Sequence, residues 1–84
     1  MNEIRAVVRD FILSNCLPGE SPENLTDDAA LRTSGILDSM TTLKLVSEIE
    51  KTEGIEIEAH EVDDENFRSV DDIVAFVERR RAAR

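Results

Sequence analysis

Three stretches of this 84-residue chain repeat apolar residues at intervals of three and four, the spacing that places side chains on one face of an α-helix. The first predicts a helix from about Asn2 to Asn15, and the second a helix from about Ser39 to Glu53. A third helix is predicted to follow Ser69. The apolar residues of the three stretches are Ile4, Val7, Val8, Phe11 and Ile12; Met40, Leu43, Leu45, Val46 and Ile49; and Ile73, Val74, Phe76 and Val77. This pattern favours a small all-α domain with one core.

Two helix boundaries are supported by residues that start and stop helices. Gly54 follows the second stretch, and glycine is the usual residue just past the end of a helix. Ser69 precedes Asp72 by three residues, which resembles a capping box with Asp in place of Glu. We therefore expect the second helix to stop at Glu53 and the last helix to start near Ser69.

The segment from Cys16 to Leu37 is predicted to be a long loop. Pro18 and Pro22 lie close together in it, and proline lacks the backbone N–H that a helix interior needs. Within the loop, Thr26–Asp28 is suited to cap a short helical turn. Loops longer than about 12 to 15 residues in a compact domain are usually functional or disordered.

The segment between the second and last helices is predicted to contain an extended connector and a short helix. Ile55 and Ile57 alternate with glutamates, which is the period of a strand, but no other segment offers a partner strand of matching pattern. We therefore expect a connector that buries both isoleucines. A short helix around Glu61 to Asn66 would follow and present Val62 and Phe67 to the core.

The chain is strongly acidic, with 19 acidic and 10 basic side chains and a net charge of −9. Residues 38–72 alone hold twelve acidic and three basic side chains. This charge opposes binding to nucleic acid or to anionic lipid, and it predicts partners that are basic where they meet the middle of the chain. Four arginines in residues 78–84 predict a flexible basic tail over about 79–84.

Cysteine content and hydropathy indicate the compartment. Cys16 is the only cysteine, so no intramolecular disulfide can form and a reducing compartment fits best. No run approaches the roughly 18 to 20 apolar residues of a membrane span, and the N-terminus lacks the layout of a signal peptide. We expect a cytoplasmic monomer that binds neither nucleic acid nor a membrane.

Residues suited to catalysis are few. His60 is the only histidine, so a Ser-His or Cys-His arrangement would have to use it, and a solvated surface histidine is the simpler interpretation. The acidic run from Asp63 to Arg68 lacks the glycine of a calcium loop and places Arg68 where a ligand is needed. Neither a metal site nor an enzyme active site is predicted.

Ser39 differs from the other serines because it follows an apolar lead-in and opens a strongly amphipathic helix. The free N–H groups and the positive dipole end at such a position favour an oxygen or a phosphate group. Helix physics alone also supports a simpler interpretation, in which Asp38 or Ser39 is only the N-cap. Both interpretations stay open on these grounds.

The wider sequence resembles the acyl carrier protein family. The family signature is an Asp-Ser-Leu or Asp-Ser-Met triplet that opens the second helix after a glycine-containing lead-in, here Gly35 to Met40. Further matches follow the family's order and spacing over nearly the whole chain: Leu25-Thr26-Asp27, Leu31, Leu43 to Glu50, Gly54-Ile55, Ile57, Glu61-Val62, Asn66-Phe67 and Ser69-Val70. The triplet alone would be a weak signal, whereas the ensemble is a strong one.

The resemblance implies that residues 1–84 form a single carrier domain, a four-helix bundle with a long loop between helices one and two and a short third helix. It implies that a phosphopantetheinyl transferase moves 4′-phosphopantetheine from coenzyme A to the hydroxyl of Ser39. The thiol of this arm would hold acyl groups as thioesters, and tethering would raise their effective concentration at each partner's active site. Such a protein carries substrates and does not catalyse.

The resemblance also implies where partners and cargo meet the carrier. Partner recognition is expected at Leu37, Asp38, Met40, Lys44 and Glu48. A buried acyl chain would lie beside helix two among Leu43, Val46, Ile57 and Phe67, for which packing in the core is the default role. The implied partners are the transferase, an acyltransferase or adenylating loading enzyme, and a ketosynthase or other thioester-processing enzyme.

Departures from the common family pattern narrow the choice of biosynthetic pathway that the carrier would serve. Lys44 stands about where many fatty-acid carriers have an acidic residue, and Met40 with its lead-in is more typical of stand-alone carriers of secondary metabolism. We expect a stand-alone carrier of polyketide or related biosynthesis. A free-standing aminoacyl or peptidyl carrier, a fatty-acid carrier and an unmodified helical adaptor are the alternatives.

Overall fold

The computed structural model describes residues 3–82, which contain three α-helices: α1 (Glu3–Asn15), α2 (Ser39–Glu53) and α3 (Val70–Ala82). Two 3₁₀ turns, Pro22–Asn24 and Ala59–Glu61, lie in the connections. Helix α1 packs against both α2 and α3. The described residues contain no strand, in agreement with the all-α prediction. None of these helices is long and apolar enough to cross a membrane.

Local signals at both ends explain why α2 has its predicted bounds. Asp38 is the N-cap, and its carboxylate accepts a hydrogen bond from the backbone N–H of Thr41 at 2.7 Å. At the other end, Gly54 adopts a left-handed conformation with φ of 66°, which an L side chain would disfavour. The start predicted for helix one, at about Asn2, lies outside the described residues.

One hydrophobic core joins the three helices and both connections. Phe67 from the second connection and Phe76 from α3 meet in it with ring centroids 5.8 Å apart and planes tilted by 51°, a favourable aromatic geometry. The buried core residues are Ile4, Val8, Ile12, Leu25, Leu31, Leu37, Leu45, Val46, Ile49, Ile55, Phe67, Val70, Ile73, Val74, Phe76 and Val77. The predicted stripe of the last helix is therefore confirmed.

The buried face of α2 differs from its predicted apolar stripe. Met40 and Leu43 are 67% and 62% exposed, so their assignment to the core face was wrong. Thr42 is buried instead, and its hydroxyl donates a hydrogen bond to the backbone carbonyl of Asp38 at 2.6 Å. Because this bond satisfies the hydroxyl, a threonine is buried here without an unpaired polar group.

The long loop between α1 and α2 is fixed to the helices by apolar and ionic contacts. Leu25 and Leu31 from the loop lie in the core. Asp27 accepts from Arg5 at 2.9 Å and from Arg9 at 2.7 Å, so both arginines of α1 hold the middle of the loop. The helical turn that was predicted at Thr26–Asp28 is a simple hydrogen-bonded turn, and the 3₁₀ turn forms earlier in the loop.

The connection between α2 and α3 lacks the predicted short α-helix around Glu61 to Asn66. Ile55 is buried as predicted for the connector, whereas Ile57 is only half-buried, and the Ala59–Glu61 turn follows. After this turn, the carboxylate of Asp63 accepts from the backbone N–H of Asn66 at 2.8 Å. The backbone carbonyl of Asp63 accepts from the N–H of Phe67 at 3.1 Å, so the segment forms one capped helical turn. The turn is not extended into a fourth α-helix among the described residues, because Ser69 accepts from the N–H of Asp72 and already opens α3.

The predicted basic tail overlaps the last turn of α3, because α3 continues to Ala82. Each of its three described arginines contacts the end of α2 or the connection that follows. The contacts are Arg79 to the side chain of Asn66 at 3.1 Å, Arg80 to the carbonyl of Glu56 at 2.6 Å and to the carboxylate of Glu61 at 3.6 Å, and Arg81 to Glu53 at 3.2 Å. Residues 83–84 lie outside the described part of the chain, and flexibility of the tail stays a prediction.

Candidate functional site

Ser39 is the first residue of α2, and its side chain is exposed. The N-cap Asp38 immediately precedes it, and the first turn of the helix contains no acidic residue. Backbone N–H groups at a helix start point outward along the axis and form the positive end of the helix dipole. An accessible hydroxyl at this point is suited to carry a phosphate-linked group.

Asp38 remains ionised beside Ser39 because local hydrogen bonds favour its charged form. The N–H of Thr41 donates to its carboxylate, and this bond is the largest of the effects that lower the pKa of Asp38. The positive charge of Lys44 lowers the pKa further. The N-cap bond is therefore kept at neutral pH.

Ser39 borders a groove of about 240 Å³ between α2 and the connection that follows it. Ser39, Thr42 and Leu43 lie at i, i+3 and i+4, so one face of α2 forms the first wall. The opposite side is lined by Ala59 and Val62. Arg32, from the long loop, completes the lining.

The residues predicted for partner recognition are distributed unevenly around Ser39. Asp38, Met40 and Lys44 are exposed close to it. Leu37 is only 3% exposed, so its side chain lies in the core and not on a docking surface. Glu48 is half-buried and borders a separate depression against α1.

Of the residues predicted for the acyl cavity, Leu43 lines the groove beside Ser39. Val46 and Phe67 are buried core residues, and Ile57 packs against the core. These three side chains have the default packing role and do not line this groove.

Sequence reasoning did not assign four of the lining residues to this site: Arg32, Thr42, Ala59 and Val62. Val62 was predicted as a core residue only. The helical spacing of Thr42 from Ser39 was a usable signal, because residues three apart share a helix face. Arg32 gave no comparable signal. It lies seven positions before Ser39 in a loop, and only the folded chain brings the two side chains to one groove.

Cys16 and His60 do not line the groove, so neither belongs to a site with Ser39 there. Cys16 is half-buried, and burial raises the pKa of its thiol. His60 is exposed, with its ring 3.5 Å from the carboxylate of Glu58. Within residues 3–82, no group of three or more histidine, cysteine, aspartate or glutamate side chains is placed to hold a metal ion.

A comparison with family models matches residues 17–77 to a family described as "Phosphopantetheine attachment site". The match spans the long loop from Leu17 onward, all of α2, the second connection and α3 as far as Val77. A search of curated proteins found no match.

Proposed function

Because the chain belongs to the phosphopantetheine attachment site family, whose members carry a covalently bound 4′-phosphopantetheine, we propose that Ser39 is the attachment residue. The chain is thus a phosphopantetheine-dependent carrier. The group supplies a terminal thiol on which acyl units are held as thioesters. The position of Ser39 at the start of α2, exposed and bordering a groove, carries the proposal.

Other serines within the matched segment are less suited to attachment. Ser34 donates a hydrogen bond to the backbone carbonyl of Ala30, which engages its hydroxyl locally. Ser69 is only 4% exposed and is bonded to Asp72. Ser47 is exposed but lies in the interior of α2, away from the free N–H groups of the helix start. Ser21 is exposed but precedes only the three-residue 3₁₀ turn Pro22–Asn24. Ser39 alone among these serines combines exposure with the start of an α-helix.

Carriers of this family interact with phosphopantetheinyl transferases and with thioester-processing enzymes, and they are generally not catalysts. We propose the same for this chain, with Asp38, Met40 and Lys44 as the recognition surface around Ser39. Met40 supports this, because an exposed large apolar side chain beside the attachment point is suited to burial by a partner. Glu48 would extend the surface, whereas Leu37 would act by fixing the loop end.

We propose a stand-alone carrier of polyketide or related secondary-metabolite biosynthesis, working in the cytoplasm as a monomer. The cationic Lys44 in the exposed first part of α2 supports this over a fatty-acid carrier. An aminoacyl or peptidyl carrier is the alternative, because it uses the same arm. Cargo contacts lie mostly in the partner enzymes.

Attachment is tested by incubating the purified protein with coenzyme A and a promiscuous phosphopantetheinyl transferase. We expect the intact mass to rise by one phosphopantetheinyl group. Ser39→Ala should abolish this rise, and the control Ser47→Ala should retain it. No rise in the wild type, or a rise that survives Ser39→Ala, would overturn the proposal.

The cargo class is tested on the modified protein by loading. A malonyl-specific acyltransferase should form a thioester in the polyketide interpretation, whereas aminoacylation by an adenylating enzyme of the same gene neighbourhood would support the aminoacyl alternative. The thioester is recognised by its release with neutral hydroxylamine. Loading of neither class would contradict both interpretations.

A further inference from the structure

We propose that Arg32 binds the phosphodiester through which Ser39 holds its arm. This inference rests on the proposed attachment at Ser39. Both residues line the same groove, although one lies in the long loop and the other opens α2. Arg32 is the only charged side chain among the six groove residues.

The charge of the surroundings explains why such a contact is useful. A phosphodiester on Ser39 adds a negative charge next to the ionised Asp38, in a chain whose net charge is already −9. The helix start offers only partial positive charge. A guanidinium in the same groove offsets the repulsion between the two anions, and arginine binds phosphate oxygens through several N–H donors at once.

Arg32 has donors to spare for this contact. Its Nε lies 2.7 Å from a carboxylate oxygen of Asp64, which occupies one edge of the guanidinium. Arginine has five N–H donors in all. The Asp64 side chain is 86% exposed, and ion pairs with such an exposed partner are weak. The guanidinium of Arg32 can therefore bind a phosphate oxygen while it keeps its contact with Asp64, or in place of that contact.

The backbone around Arg32 is fixed relative to the start of α2. Leu31 is fully buried, and its N–H donates to the carbonyl of Arg68 at 2.8 Å. Its carbonyl accepts from the N–H of Leu37 at 2.9 Å, which ties the two ends of this loop segment together just before Ser39. Arg32 is therefore held beside the groove before any ligand is attached, which lowers the ordering cost of binding.

The phosphodiester is a better ligand for Arg32 than an anionic cargo. The phosphorus would be bonded directly to the hydroxyl oxygen of Ser39, a residue that lines the groove. Cargo is attached to the thiol at the opposite end of the arm. Arg32 shares a groove with the attachment end of the arm, whereas a cargo carboxylate would reach Arg32 only if the arm folded back.

The test uses ³¹P NMR of the full-length protein after the arm has been added and confirmed by mass spectrometry. Arg32→Gln should shift the phosphodiester resonance relative to wild type. The matched control is Arg68→Gln, because Arg68 borders a neighbouring cavity of about 140 Å³ together with Arg32 but does not line the groove. We expect the control to leave the resonance in place.

A second variant keeps the test decisive if Arg32→Gln folds poorly. Asp64→Asn removes the exposed partner of Arg32 and should shift the resonance in the direction opposite to Arg32→Gln, because the guanidinium then turns fully to the phosphate. Adding salt to the wild type should move its resonance toward that of Arg32→Gln, since screening weakens the exposed contact.

Three results would overturn the inference. One is a resonance that none of the variants moves, and another is an equal shift in Arg32→Gln and Arg68→Gln. The third is a set of Arg32 guanidinium N–H signals, those of both Nη groups included, that stays in place when the arm is added and moves only when a malonyl group is loaded, which would assign the contact to the cargo. Absence of the arm by mass spectrometry is a separate result, which would refute attachment itself.

Discussion

The carboxylate of Asp38 accepts a hydrogen bond from the backbone N–H of Thr41 at 2.7 Å, and this bond caps α2 one residue before Ser39. The same residue uses its backbone carbonyl to accept from the buried Thr42 hydroxyl at 2.6 Å. Asp38 thus fixes the helix start with both its side chain and its backbone. The orientation of Ser39 toward solvent and toward the groove depends on this arrangement.

The cap predicts a specific pH dependence of stability. The pKa of Asp38 is lowered in the folded protein, mainly by the Thr41 N–H, so its ionised form stabilises the fold. This stabilisation is fully present above the ordinary aspartate pKa of 3.8 and is lost as the pH falls through the lower, folded-state pKa. The wild type should exceed Asp38→Asn in urea midpoint at pH 7, and the difference should shrink below about pH 4.

Asp10→Asn, which removes an exposed charge from α1, is the matched control for the charge change. The difference in urea midpoint between wild type and Asp10→Asn should not shrink between pH 7 and acid pH as the Asp38→Asn difference does. A difference between wild type and Asp38→Asn that is the same at pH 7 and pH 3 would show that ionisation of Asp38 does not support the cap.

The ion pairs of Asp27 lead to a prediction about the stability that they give the long loop. The carboxylate of Asp27 binds Arg5 and Arg9 of α1, at 2.9 and 2.7 Å, and all three side chains are partly shielded from solvent. Asp27→Ala should lower the free energy of unfolding by about 1 kcal/mol, the scale of a partly exposed ionic network. Urea unfolding measures the loss. The neighbouring exposed residue provides the control Asp28→Ala, and an equal effect of both variants would contradict the role of Asp27.

Local signals made much of this fold predictable. Asp38 and Gly54 bound α2 through short-range effects, a side-chain cap and a left-handed backbone, which depend little on the rest of the molecule. The long loop was predictable from its prolines, because their effect on the backbone is also short-range. Ser39 was singled out by its place at that helix start.

Features that depend on packing were not predictable. In the packed core that α2 shares with α1 and the loop, Thr42 is buried and Met40 and Leu43 are exposed, which the apolar spacing of α2 alone did not indicate. The predicted short third helix is a single turn, which Asp63 caps and which ends where Ser69 opens α3. These outcomes depend on three-dimensional neighbours and on where the next helix begins, which periodicity does not reveal.

Met40 predicts a contact with the modifying enzyme. Its side chain is 67% exposed next to Ser39, so truncation should leave the fold intact while removing apolar surface that a partner buries. Met40→Ala should reduce kcat/KM of the phosphopantetheinyl transferase by roughly fivefold, equivalent to about 1 kcal/mol. Initial rates of arm transfer measure this reduction, and unchanged urea midpoints show that the fold is intact. Thr52→Ala, an exposed change far along α2, is the control, and equal rates for wild type and Met40→Ala would exclude the contact.

The raised pKa of the Cys16 thiol leads us to predict that alkylating reagents label the arm thiol selectively. Burial raises the pKa of the Cys16 thiol, so little of the reactive thiolate forms near neutral pH. In the modified protein, iodoacetamide at pH 7 should alkylate the arm thiol well before Cys16, and the reaction of Cys16 should increase as the pH rises toward its raised pKa. Peptide masses from a time course distinguish the two thiols. Faster alkylation of Cys16 than of the arm would contradict this prediction.

Localisation of the added group within one peptide tests the central claim most directly. Trypsin cleavage after Arg32 and Lys44 releases residues 33–44, which contain both Ser34 and Ser39. After modification by a phosphopantetheinyl transferase, fragmentation of this peptide should place the whole added mass on Ser39. Mass on Ser34, on a threonine of the same peptide, or on a different peptide would contradict the account.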